Sequence, residues 1–252
     1  MSLAEASLLA TAALFAGALN AVAGGGSFLT FPALVFSGVP PLIANATSTA
    51  AVWPGAVASS LGYRAELKDE SALAARLGLV SALGGVLGAV GVIGTPQAVF
   101  VAVLPLLLLV ATLVFTFGDV LRRRLEAWGS PPVAAVVGAQ FLVAAYGGYF
   151  GGGMGLMMLA LFSLLGPKHL HAMNALKSVL GVAINATALL TFIVAGKVDW
   201  PRAALMAVAS TAGGYLGASV ARRVPAAKAK RFVVALGWLM TALFFGRTYL
   251  WM

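Results

Sequence analysis

A glycine-broken apolar segment occurs twice in this chain, once in each half. The first copy reads Asn20-Ala-Val-Ala-Gly-Gly-Gly-Ser-Phe-Leu-Thr-Phe-Pro32, the second Tyr146-Gly-Gly-Tyr-Phe-Gly-Gly-Gly-Met-Gly-Leu-Met-Met158. Glycines that interrupt a helix at membrane depth expose backbone N–H and C=O groups. Hydrocarbon satisfies neither, so such breaks survive only inside protein or beside an aqueous cavity. Two breaks at matching positions of a duplicated chain point to a transporter binding site.

The membrane class follows from composition. Of 252 residues, 61% are hydrophobic and 9% charged, with a mean hydropathy of +1.00; a soluble domain carries about 25% charged residues. Apolar stretches cover 3–22, 27–37, 41–62, 71–93, 97–117, 131–148, 154–165, 169–195, 202–221 and 231–250. Most are long enough to cross a bilayer as helices. The two that follow the breaks, 27–37 and 154–165, are too short. Each reads as the half-helix of a bent or re-entrant hairpin. No connection is long enough for a soluble domain. The net charge of +9 lies mostly in short loops, the pattern of cytoplasmic loops, so no nucleic-acid partner is expected. With no cysteine, disulfides and thiol ligands are excluded. The first segment carries Glu5 and lacks a basic leader, so it reads as mature sequence.

The halves are related. Ser81-Ala-Leu-Gly-Gly-Val-Leu-Gly-Ala89 matches Ser210-Thr-Ala-Gly-Gly-Tyr-Leu-Gly-Ala218, six identities in nine at a shift of 129. The same shift sets Asn45-Ala46 on Asn174-Ala175, and the glycine triplets lie 127 apart. The expected organisation is a first membrane repeat over 1–121, a cytoplasmic linker at 122–130 and a second repeat over 131–252. The stretch Gly118–Ser130, with Arg122-Arg123-Arg124, is the hinge. Loop charges then set orientation. In the first half Arg64 and Lys68 follow the segment 41–62, whereas the loop at 94–97 is uncharged. In the second half the basic loop (Arg222, Arg223, Lys228, Lys230, Arg231) has moved to the other end of the equivalent helix. By the positive-inside rule the halves are inverted, with both termini outside. The expected fold is an all-α polytopic membrane protein of two inverted repeats, each a glycine-broken hairpin plus about three spanning helices.

These motifs resemble the TauE/SafE family of sulfite and sulfonate exporters, four-TMS-duplicated permeases. The similar stretches are Asn20-Ala-Val-Ala-Gly-Gly-Gly-Ser-Phe with Pro32 and Ala44-Asn-Ala-Thr-Ser-Thr49, then Gly147-Gly-Tyr-Phe-Gly-Gly-Gly-Met-Gly155 with Asn174-Ala-Leu-Lys-Ser178. The resemblance covers both repeats and specifies the family better than the substrate. It implies export or uptake of sulfite, sulfoacetate or other small organic anions across a bacterial inner membrane.

The sharpest single residue is Lys177. A lysine at the centre of a membrane helix costs about 2.5–3.5 kcal/mol on insertion scales, so it is retained where it meets an anion. The competing reading is snorkelling, since Lys177 lies only about 12 Å of helix past His169. Asn45, Thr47, Ser48 and Thr49 stand at the equivalent place in the first repeat. With Asn174 and Ser178 they offer amide and hydroxyl donors suited to an oxyanion, although single hydroxyls more often bond their own helix. At the breaks Gly24, Gly25, Gly26 and Gly151, Gly152, Gly153 expose backbone N–H groups. Ser27 and Met154 begin half-helices whose positive ends favour anions. Asn20, Asn185 and Tyr146 are weaker candidates. Gly84, Gly85, Gly88, Gly213, Gly214 and Gly217 read as helix packing.

His169 and His171 lack acidic partners and make a poor metal site; no cofactor is expected. The absence of a deep carboxylate tilts the substrate towards an anion. No H-E-x-x-H, G-x-S-x-G, Walker loop or intramembrane carboxylate pair is present, which disfavours an enzyme. The expected function is a secondary transporter of small anions, an exporter by resemblance, working by alternating access. An anion channel of the same architecture is the alternative. Proton coupling and a homodimer stay open.

Overall fold

The computed structural model describes residues 1–22, 25–62, 67, 71–127, 131–163, 170–221 and 226–250. Among these residues every regular element is a helix. The first half supplies α1 (Leu3–Val22), α2 (Ser27–Phe36), α3 (Pro41–Gly62), α4 (Ser71–Gly94) and α5 (Gln97–Ala127). The second supplies α6 (Val133–Tyr149), α7 (Met154–Phe162), α8 (Leu170–Val194), α9 (Trp200–Ala221) and α10 (Ala226–Phe245). A π-helical turn, Gly246–Leu250, continues α10. Five of these helices are long and apolar enough to cross a membrane. The chain is an all-α polytopic membrane protein. With 10 and 9 residues, α2 and α7 reach about 15 Å, half of a ~30 Å hydrocarbon core.

One boundary differs from expectation. The linker around Arg122–Arg124 is no loop, because α5 runs on to Ala127. Its last turns, Leu-Arg-Arg-Arg-Leu-Glu-Ala, hold strong helix formers and neither Gly nor Pro. Arg124 also sits in the final turn, where a cation complements the helix dipole. At 31 residues the helix is about 46 Å long. It leaves the hydrocarbon rather than ending there.

The directions of the helices follow from their bonds. Along α1 and α9 the contacts advance together. Arg202 pairs with Glu5 at 2.6 Å, and further on Gly213 lies against the Leu14 backbone. Along α3 and α9 they advance together too. The Asp199 N–H donates to Thr47 Oγ1 at 3.0 Å, and the Ser210 hydroxyl donates to the Ala51 carbonyl at 2.7 Å. Both α1 and α3 are therefore parallel to α9 and to each other. The chain must come back between them, and α2 is the return leg.

Exchange of the halves maps the principal packing onto itself. The pair α1 with α9 answers to α6 with α4, α3 with α9 to α8 with α4, and α2 with α10 to α7 with α5. Two bonds join a residue to its own equivalent 129 positions on: Trp53 Nε1–H to the Val182 carbonyl at 3.3 Å, and the hydroxyls of Thr112 and Thr241 at 3.2 Å. Such pairs sit on an approximate two-fold axis. The equivalent helices α5 and α10 run antiparallel. Going up α5 through Ala102, Thr112 and Thr116, the partners descend α10 and its extension through Tyr249, Thr241 and Trp238. Halves of opposite orientation give this pattern; halves related by an axis along the helices would make α5 and α10 parallel.

Glycine lets these helices touch. A Cβ on Gly148 would stand on the Gly85 carbonyl, and one on Gly84 would come within 2.8 Å of the Phe141 carbonyl. In the other half Gly213 takes the same role against Leu14, and Gly17 against Ser210. The buried core divides in two. An aromatic group (Phe28, Phe31, Phe100, Phe115, Phe150, Phe244) seats α2. A methionine-rich group (Met154, Met158, Phe162, Leu176, Leu180, Ile184) seats α7. Large apolar residues such as Leu83, Leu87, Leu142 and Val208 are exposed, as a lipid-facing surface requires.

Candidate functional site

Both breaks depend on backbone that only glycine adopts cheaply. Gly25 has φ +90°, and Gly151 and Gly153 each have φ +79°. An L-residue there costs roughly 1–2 kcal/mol. In the first break, Asn20 Oδ1 accepts the Gly26 N–H at 2.8 Å and fixes the turn into α2. In the second, Gly153 is the N-cap of α7, and a Cβ there would lie 3.1 Å from the Ala111 Cβ. Neither α2 nor α7 has a side-chain cap. Turn bonds take the N–H groups of Phe28, Leu29, Met154 and Leu156, and each half-helix begins with the positive end of its dipole.

The two beginnings face one cavity of about 100 Å³. About 10–15 Å³ holds one water, so several waters or a small anion fit. Gly25 and Ser27 line it from the first break, Gly151, Gly153 and Met154 from the second. From α8 come Lys177, Ser178, Gly181 and Asn185, and from the end of α1 comes Asn20. Val52 and Ala56 of α3 and Met158 of α7 give apolar wall.

Lys177 is seven residues into α8, about 10 Å along its axis. Its stem crosses the start of α7, with Cδ 3.5 Å from where a Cβ on Gly155 would stand. Among the described residues no carboxylate pairs with its ammonium and no acceptor bonds it. Ser27, Ser178 and Asn185 likewise have no side-chain partner among the described residues. The polar groups on the cavity wall are available to a ligand.

The structure gathers some of the candidate residues and disperses others. Gly25, Ser27, Gly151, Gly153, Met154, Lys177 and Ser178 line the cavity. Gly26 and Gly152 are buried behind that lining. Gly24 lies outside the described residues, as does His169. The four polar residues of α3 are occupied elsewhere. Asn45 Nδ2–H donates to the Tyr149 carbonyl at 2.9 Å and ties α3 to the end of α6. Thr47 accepts the Asp199 N–H at the start of α9. The Ser48 and Thr30 hydroxyls bond at 2.6 Å, which ties α3 to α2. Thr49 returns its hydroxyl to the Asn45 carbonyl, one turn back. Asn174 is half-buried and engaged, one turn before Lys177 and off the cavity lining.

Asn20 and Asn185, which looked secondary in the sequence, are on the wall. A signal for Asn185 was present: Ser178, Gly181 and Asn185 follow the i, i+3, i+7 spacing of one helix face. Comparison of the halves explains the polarity. Val52 and Ala56 are the equivalents of Gly181 and Asn185, and all four line the cavity. The same two turns of α3 and α8 face it, but α8 alone adds an amide and, at the position of Ser48, a lysine.

Comparison with known proteins gives the family. The sequence model of the family described as Sulfite exporter TauE/SafE matches residues 9–244. A "Probable membrane transporter protein ORF9" from Sinorhizobium sp is 32% identical over 237 residues, 90% of this chain and 86% of the relative. A "Probable membrane transporter protein" of Haemophilus influenzae is 30% identical, covering 89% and 88%. "Probable membrane transporter protein YfcA" of Escherichia coli K12 is 30% identical, covering 88% and 81%. No solved structure matches the chain. The chain belongs to the TauE/SafE family and is a multi-pass membrane transporter.

Proposed function

We propose that this TauE/SafE family member is a secondary transporter of small anions, with sulfite or an organosulfonate such as sulfoacetate as substrate. The observation that carries the reading is an unpaired lysine in a cavity where two uncapped glycine breaks meet, one from each half. An ammonium at membrane depth without a counter-ion is costly, and an anion relieves that cost. An oxyanion also accepts several hydrogen bonds at once. Lys177, Asn185, Ser178 and Ser27 together offer one charge and neutral donors of that kind. The dipoles of α2 and α7 add to the attraction.

Inverted halves that meet around one site support alternating access by motion of one bundle against another. Export rests on the family's description. A bacterial inner membrane rests on the positive-inside pattern and on relatives that are bacterial.

A carrier and a channel differ in one readout. Proteoliposomes preloaded with unlabelled sulfoacetate should accumulate labelled sulfoacetate transiently, by counterflow. Anion conductance across a planar bilayer without counterflow would replace the carrier by a channel at the same site.

A further inference from the structure

We infer that Asn20 is a substrate-binding residue whose side-chain amide is locked with its NH2 end towards the cavity, donating from the first half to the anion that Lys177 holds from the second. The inference rests on the anion-transporter reading and deepens it.

An asparagine amide has an acceptor oxygen and a donor nitrogen. The Gly26 N–H is a donor, so only Oδ1 answers it, at 2.8 Å. That bond decides which end of the amide points where. Nδ2 lies 2.6 Å from where a Cβ on Gly26 would stand, so glycine at position 26 is what leaves room for this orientation. Asn20 lines the cavity and is half-buried. Among the described residues nothing accepts from Nδ2. That donor is left for a ligand, in exchange for cavity water.

The placement is also one-sided. Position 20 corresponds to Gly147 by the spacing of the triplets and to Tyr149 by the shift of 129. The second half has no amide to match it. A ligand that meets Lys177 and Asn20 together needs at least two acceptor atoms, one for each donor. A sulfonate, sulfite or similar oxyanion has that shape.

The test separates the two tasks of this side chain. Asn20→Asp keeps an oxygen for the Gly26 N–H and replaces the donor by a negative charge. In proteoliposomes its KM for sulfoacetate should rise about ten- to hundredfold, the loss expected for a charge-assisted hydrogen bond, with Vmax near wild type. A wild-type KM in Asn20→Asp would overturn the inference and leave Asn20 a brace for the break. Should Asn20→Asp fail to fold, Asn20→Ser is compared with Asn20→Ala. Neither keeps the brace, and only serine keeps a donor, so serine should have the lower KM; equal values overturn the inference. If the wild-type protein itself takes up no sulfoacetate or sulfite, the anion reading fails and this inference falls with it.

Discussion

Residues of one chemical type divide here by what they already bond. Ser48 and Lys177 occupy equivalent positions of the two halves, yet the Ser48 hydroxyl is consumed by Thr30 while Lys177 lines the cavity. Ser48→Ala should therefore lower the thermal stability of the purified protein by about 0.5–1.5 kcal/mol, the usual net value of a hydrogen bond, and leave anion uptake unchanged. A Ser48→Ala protein with normal melting and impaired uptake would return Ser48 to the site. The sequence distinguished Lys177 because a charge inside an apolar run is expensive wherever it sits. It did not distinguish Asn45 or Thr47, whose bonds reach Tyr149, 104 residues away, and Asp199, 152 residues away. Side-chain partners at that separation depend on which helices meet, and a single sequence holds that only through the repeat.

At the scale of the element, the glycines fall into two kinds. Gly25, Gly151 and Gly153 at the breaks have φ values of +79° to +90°. Those within helices have ordinary φ and serve close approach: Gly148 against Gly85, Gly213 against Leu14. Gly138, in the same helix as Gly148, meets nothing within 4 Å of a Cβ. Gly148→Ala should drive α4 and α6 apart and cost about 1–3 kcal/mol, as overpacking does. Gly138→Ala should be neutral or stabilising by up to about 1 kcal/mol. Thermal melts of the two variants in one detergent compare them; equal effects would remove the close-packing account of α4 and α6. Both kinds of glycine were legible in the sequence, because three in a row suit no helix and a spacing of three or four suits one. The end of α5 was not. A run of arginines reads as a loop only if charge is taken to stop a helix, whereas charge stops burial and helix propensity carries on.

For the whole molecule, the antiparallel run of α5 against α10 is what supports our proposal of inverted halves. In that proposal each hairpin returns to its own side and three helices follow it, α3 to α5 and α8 to α10. The arginines at the end of α5 and the basic start of α10 (Lys228, Lys230, Arg231) then share one face and both termini share the other. A reporter fused after Met252 should be active outside the cytoplasm; a cytoplasmic reporter would contradict the inversion. The inversion is what brings two uncapped half-helices to one cavity, and the departure of the second half from the first is what gives that cavity its charge. Uptake of radiolabelled sulfite and sulfoacetate into proteoliposomes, wild type beside Lys177→Ala, tests this account most directly. The account predicts saturable uptake by the wild type and a loss of about tenfold or more in the variant, the value of a hydrogen bond to a charged group, with unchanged melting. Uptake that survives intact in Lys177→Ala would contradict it and place the anion elsewhere.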